Sequence, residues 1–162
     1  MLSFSIMKAT QQIKEFYLQG LKEAPTLAKL IDPIIREVGL DTEDIESVHE
    51  EYEVKTEVAA VEIDRCLKKA GKPIIFLQAK PIGRRDLFKV DYIKTFRAAS
   101  CENVFFCVFT DGVSWEFYIL DPTSKVQTPQ LLKRVEILYD PLKRVEVVQI
   151  FKKLIKGDRY ES

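Results

Sequence analysis

Apolar residues along this chain recur first at helical and then at strand spacing. Ile13, Phe16, Tyr17 and Leu21 share one helical face, and Gly20 suits the stop of a helix over 10–19. Leu27, Leu30, Ile31, Ile34, Ile35 and Val38 predict a second helix over 25–38, with Pro33 a candidate kink and Gly39 its end. After the polar run 41–47 the period drops to two. Residues 49–56 read as a strand with Tyr52 and Val54 on one face. Residues 60–67 read as another, alternating Val61, Ile63, Arg65 and Leu67 against Glu62, Asp64 and Cys66. A turn over 69–72 leads into Pro73-Ile74-Ile75-Phe76-Leu77, an unbroken apolar run that predicts a central strand buried on both faces and ending in Gln78-Ala79-Lys80. Val90, Ile93, Phe96 and Ala99 predict a helix over 86–100. Residues 103–109 and 114–120 predict two strands joined by Thr110-Asp111-Gly112-Val113, where Asp-Gly favours a tight turn. Asp140-Pro141 opens a further helix running to about Ile155, within a tail over 128–156 read as helical. The order predicts one α/β domain over 1–162, a mixed central sheet flanked by helices.

Composition narrows the class. A chain of 162 residues, 46% hydrophobic and 31% charged, is long enough to bury a core and too apolar to stay unfolded. No apolar run reaches the roughly 18 residues of a membrane span, and the N-terminus lacks the pattern of a signal peptide. Three cysteines, none in CxxC spacing, fit a reducing, cytoplasmic setting. The net charge is zero but unevenly spread. Asp32 to Asp64 carries twelve acidic and two basic residues; Arg65 to Arg97 carries ten basic and two acidic. Either the two halves pair with each other on solvated faces, or a basic surface lies beside an acidic pocket, as an enzyme acting on a polyanion requires.

The sign change falls at the residues that carry chemistry. Gln78 and Lys80 are two apart on a strand and share a face, and a hairpin through Gly71 brings Asp64 alongside. A carboxylate, a second oxygen ligand and an ammonium in one small area suit phosphodiester hydrolysis: oxygens hold a hard divalent cation, and a lysine orients the nucleophile or stabilises developing charge. The same residues also make an ordinary polar strand end.

The wider pattern favours the first reading. Glu23-Ala24-Pro25-Thr26, with Leu30-Ile31-Asp32-Pro33, resembles the E-A-x-T-x-x-x-L-I-D-P opening of the nuclease domain in type I restriction endonuclease R subunits. Val38-Gly39-Leu40-Asp41 is similar to that family's L-G-W, Val61-Glu62-Ile63-Asp64 to its D-bearing strand, Gly71-Lys72-Pro73 to its G-x-P turn, and Phe76-Leu77-Gln78-Ala79-Lys80 to its V-I-E-A-K strand. Phe109-Thr110-Asp111-Gly112-Val113-Ser114-Trp115-Glu116-Phe117-Tyr118 resembles the L-T-(N/D)-G-x-x-W-x-F-Y segment. These pieces run in order over 23–118.

The resemblance implies the restriction-endonuclease-like PD-(D/E)xK fold and Mg²⁺-dependent cleavage of DNA, with Mn²⁺ as a substitute. It implies Glu23 as the helix carboxylate near the metal, Asp64 as principal ligand, Gln78 as second ligand and Lys80 as catalytic lysine. A homodimer or the other subunits of a restriction complex are the protein partners it suggests. Tyr92 and Phe96 stand where the family has Q-x-x-x-Y, and both differ from it. Gln78 departs from the family's glutamate: its carbonyl can ligate, but one negative charge is lost. Glu62, on the face expected for Asp64, is a candidate to restore that charge. Arg84 and Arg85, directly after Lys80, are candidate DNA-phosphate contacts. The alternative is a catalytically degenerate module of the same fold that binds DNA or protein. His49, alone of its kind, excludes a multi-histidine centre, and the aromatic run at Trp115 reads as sheet packing.

Overall fold

Six strands stand side by side in chain order in the computed structural model, which describes residues 4–121 and 128–157. They are β1 (Val48–Lys55), β2 (Ala60–Lys69), β3 (Lys72–Ala79), β4 (Phe106–Thr110), β5 (Ser114–Ile119) and β6 (Gln130–Glu136). Neighbours are antiparallel except β3 and β4. A parallel pair needs a crossover, supplied here by a 3₁₀ helix (Arg85–Val90) and α4 (Tyr92–Cys101). The result is a mixed α/β sheet flanked by helices. The two ends of the expected 1–162 domain and the segment 122–127 lie outside the described residues.

Each face of the sheet has its own core. On one, α1 (Phe4–Gln19), α2 (Glu23–Thr26), α3 (Asp32–Val38) and α5 (Pro141–Lys156) cover Leu77, Val108, Trp115 and Phe117, with Ile31, Ile34, Ile35 and Phe151 reaching down from the helices. On the other, α4 and the 3₁₀ helix cover Phe76, Cys107 and Phe109 with Phe88, Ala98 and Ala99. Phe76 and Leu77 therefore face opposite cores, as an unbroken apolar run requires of a central strand. Trp115 is fully buried against Phe151, which bears out its role in packing.

Three segments differ from the periodicity. The helix expected over 86–100 is a 3₁₀ helix to Val90 and an α-helix only from Tyr92, so Val90 and Ile93 are exposed rather than in register with Phe96 and Ala99. The tail over 128–156 is not helical throughout: Gln130–Glu136 is a strand, and helix begins only at Pro141. Leu131, Leu132 and Val135 fit either period. The strand wins because it covers the open edge of β5 and pairs Val135 with Trp115. The helix over 25–38 is broken into α2, a π-helical turn (Leu27–Ile31) and α3. Pro33 has no N–H to give to Lys29 and its ring crowds that carbonyl, so the wider turn just ahead of it relieves both.

The β4–β5 turn is tied to this irregular helix. Asp111 Oδ1 accepts from Val113 N–H (3.1 Å) and Ser114 N–H (2.7 Å), and Gly112 sits at φ 89°. A Cβ on Gly112 would meet Leu30 Cδ1 at 2.8 Å, so backbone conformation and space both demand glycine.

Strand alternation breaks at Asp64. Ile63 faces the α4 core, yet Arg65 crosses to the other face, where Nε and Nη2 donate to Asp32 Oδ1 (2.9 Å) and Oδ2 (3.1 Å) on α3. Opposite Asp64 on β1, Glu51 takes the left-handed φ of 51°. The ribbon turns over at this point, and Arg65 also holds the Asp64 carbonyl through Nη1 (2.8 Å). Removing one member of a buried, doubly bonded ion pair strands the other. Asp32→Ala is expected to cost about 3–5 kcal/mol of folding stability, measured by urea denaturation.

Candidate functional site

β2 and β3 part company beyond the Arg65–Leu77 pair, and side chains span the gap. Gln78 reaches across from β3. Its Oε1 accepts from Asp64 N–H (3.1 Å), and its Nε2 donates to Glu62 C=O (3.1 Å) and to Thr95 Oγ1 on α4 (3.2 Å). Asp64 reaches back from β2, its Oδ2 accepting from Ala79 N–H at 2.8 Å. The Gln78 amide thus stands in for a missing stretch of strand, offering a donor and an acceptor to alternate backbone groups of β2. A carboxylate, which only accepts when ionised, cannot do both.

The clasp fixes a half-buried carboxyl among other charges. Burial pushes the Asp64 pKa up from 3.8 to about 6. The Ala79 hydrogen bond opposes this, the negative charges of Glu23 and Asp91 add to it, and Lys80 offsets it in part. Because the folded pKa lies above the unfolded one, Asp64 favours the folded state fully below about pH 4. That contribution is lost as pH rises through about 6. At neutral pH the group is ionised at a cost in stability, which a bound cation would offset.

Glu23 begins α2, and Lys80 follows β3, where its backbone N–H donates to Thr110 C=O (2.9 Å). The Lys80 ammonium lies 2.8 Å from Asp91 Oδ2, and Lys94 lies 2.9 Å from Asp91 Oδ1. Asp91 is buried at the junction of the 3₁₀ helix and α4, so it anchors both cations.

The structure therefore gathers Asp64, Gln78, Lys80 and, through its charge, Glu23. Glu62 is exposed and stands across from Glu53 on β1; only its carbonyl enters the clasp. The face switch at Asp64 is what separates two side chains that regular alternation would align. Arg84 pairs with Asp86 and Arg85 with Glu136, both at 3.0 Å on the surface. Among the described residues, no group of three or more His, Cys, Asp or Glu side chains is placed to hold a metal ion.

Asp91 and Thr95 escaped the sequence reading because the helix expected over 86–100 ran through them. The signal was present: Asp91 is one of two acids in a stretch of ten cations. Also unforeseen is Glu116, almost fully buried on β5. It accepts from Tyr92 Oη, from Tyr118 Oη (3.2 Å) and from Arg134 Nε (3.1 Å). Tyr92 stacks on Phe96 beneath this network, so the positions aligned with the Q-x-x-x-Y motif here carry aromatic packing.

Gln78→Glu tests the clasp. The new carboxylate would face the Glu62 carbonyl with nothing to donate, while the Thr95 hydroxyl can turn to donate to it, so the change should cost about 1–3 kcal/mol at neutral pH. The loss should shrink as pH falls and the carboxyl regains an O–H. Urea titrations at several pH values check both statements.

No family profile matches the chain, and no curated protein does. Among solved structures it is similar to a fragment assigned as the HsdR subunit of a type I restriction enzyme from Vibrio vulnificus YJ016. The identity is 23% over 80% of this chain, with a TM-score of 0.39. The alignment covers 26% of that chain, so the present one spans about a quarter of its length.

Proposed function

We propose that this chain is a divalent-metal-dependent DNA endonuclease domain of the PD-(D/E)xK type, resembling the nuclease module of type I restriction R subunits. The observation that carries the reading is the nearness of Asp64, Glu23, Asp91 and Lys80 at the parted ends of β2 and β3, where burial first, and the negative charges of Glu23 and Asp91 after it, raise the proton affinity of Asp64. An oxygen site of that kind suits Mg²⁺ or Mn²⁺. Mg²⁺ commonly takes one or two carboxylates and completes its shell with water and substrate phosphate, so a cage of three side chains is not required.

In this reading Asp64 is the principal ligand and Glu23 the second carboxylate. The ion would neutralise phosphate charge and lower the pKa of a bound water. Lys80, steadied by Asp91, presents its ammonium to the attacking water or the scissile phosphate. Gln78 holds Asp64 in place through the backbone rather than by ligation. Arg84 and Arg85 exchange their exposed partners for DNA phosphates, a change that costs little because surface ion pairs are weak.

Two observations favour a second reading, a non-cleaving module of the same fold. The Gln78 carbonyl is engaged with Asp64 N–H, and Lys80 is paired with Asp91.

Nicking of supercoiled plasmid with Mg²⁺ or Mn²⁺, beside an EDTA control, separates the two. The nuclease reading predicts metal-dependent cutting that falls about 10²–10³-fold in Lys80→Ala. Gel shifting of DNA without cutting by the wild type supports the second reading. Equal traces of cutting in both proteins indicate contamination and contradict the first.

A further inference from the structure

The end of the sheet opposite Lys80, about 25 Å away along β3, carries a groove that the nuclease reading does not use. One hollow of about 440 Å³ is floored by Ile74, Phe105, Phe106, Leu154 and Ile155, between the start of β3 and β4 and the last turn of α5. A second, of about 360 Å³, adjoins it through Ile155 and is lined by Val38 and Leu40. Phe105 is 44% exposed, unusual for a phenylalanine in a folded chain.

The rim is of one sign. Lys69 and Lys72 border the first hollow, Lys152 and Lys156 the second, and among the described residues no Asp or Glu lines either. Lys69 donates to the Ile155 carbonyl (3.2 Å), which binds the β2–β3 turn to the end of α5 and shapes the floor. Two apolar hollows in a row, edged by four ammonium groups, describe an elongated complement rather than a compact one. The matching chemistry is an amphipathic helix with apolar anchors at i, i+3, i+4 and i+7 and carboxylates beside them.

We infer that this groove docks an acidic amphipathic helix from another polypeptide. The pairing is independent of metal binding and of cleavage, since none of its residues touches Asp64 or Lys80. Steering by the lysine rim sets the partner's sign, and burial of Phe105, Phe106 and Ile155 supplies the affinity.

The probe is a fluorescein-labelled helical peptide with leucines at those spacings and glutamates between, titrated against the full chain by fluorescence anisotropy. A second peptide has every glutamate replaced by lysine. The acidic peptide should bind at least about tenfold more tightly. The double variant Lys72→Glu with Lys156→Glu, both surface changes, leaves two lysines against two glutamates on the rim and should abolish that preference. Phe105→Ser, which leaves the charges intact, should weaken both peptides. Equal binding of the two peptides by the wild type, no binding of the acidic one, or an undiminished preference in the double variant each overturns the inference. Self-association of the wild-type chain that the double variant abolishes, measured by sedimentation, also overturns it and assigns the groove to a second copy.

Discussion

The reciprocal bridge between β2 and β3 is the interaction on which the rest of the site depends. Where the two strands separate, each sends one side chain to the other's backbone: Gln78 to Asp64 N–H and Glu62 C=O, Asp64 to Ala79 N–H. Buried backbone groups left without partners would cost too much for the strands to part in any other way. Beside the parted strands Asp64 is half-buried and feels the charges of Lys80, Glu23 and Asp91. Anchorage extends to both layers, through Thr95 of α4 on one side and through Arg65 and Asp32 of α3 on the other.

The same bridge gives a physical reason for glutamine at the position where the resembled family has glutamate. An amide carries both halves of a peptide group, and β2 presents one donor and one acceptor at the gap. What is lost in negative charge is gained in continuity of the sheet. The negative charge near Asp64 then comes from elsewhere, from Glu23 on a helix preceding the sheet and Asp91 on the crossover between β3 and β4.

Much of this was legible in the sequence. The central strand showed in the unbroken run Pro73–Leu77, the β4–β5 turn in Asp111-Gly112, and the placement of Asp64 beside Gln78 in the hairpin through Gly71. What stayed hidden has specific causes. The place of Glu62 depended on alternation continuing through Asp64, and the left-handed turn at Glu51 with the crossing of Arg65 defeats that. The strand Gln130–Glu136 carries a pattern that serves either period, and only the uncovered edge of β5 decides it. Half of the ten cations of 65–97 already have acidic partners within the fold: Arg65 has Asp32, Lys80 and Lys94 have Asp91, Arg84 has Asp86, and Arg85 has Glu136. A charge count along a chain does not reveal which charges already have partners.

Calorimetric titration of the wild type with Mn²⁺ near pH 6, in two buffers of different ionisation enthalpy, tests most directly whether Asp64 is a cation ligand. A carboxyl with a pKa of about 6 is half protonated there. An ion bound at Asp64 must therefore displace about half a proton. The account predicts that release in the wild type, its decline toward pH 8, and loss of both binding and release in Asp64→Asn. Binding without proton release, or equal binding by Asp64→Asn, would contradict it.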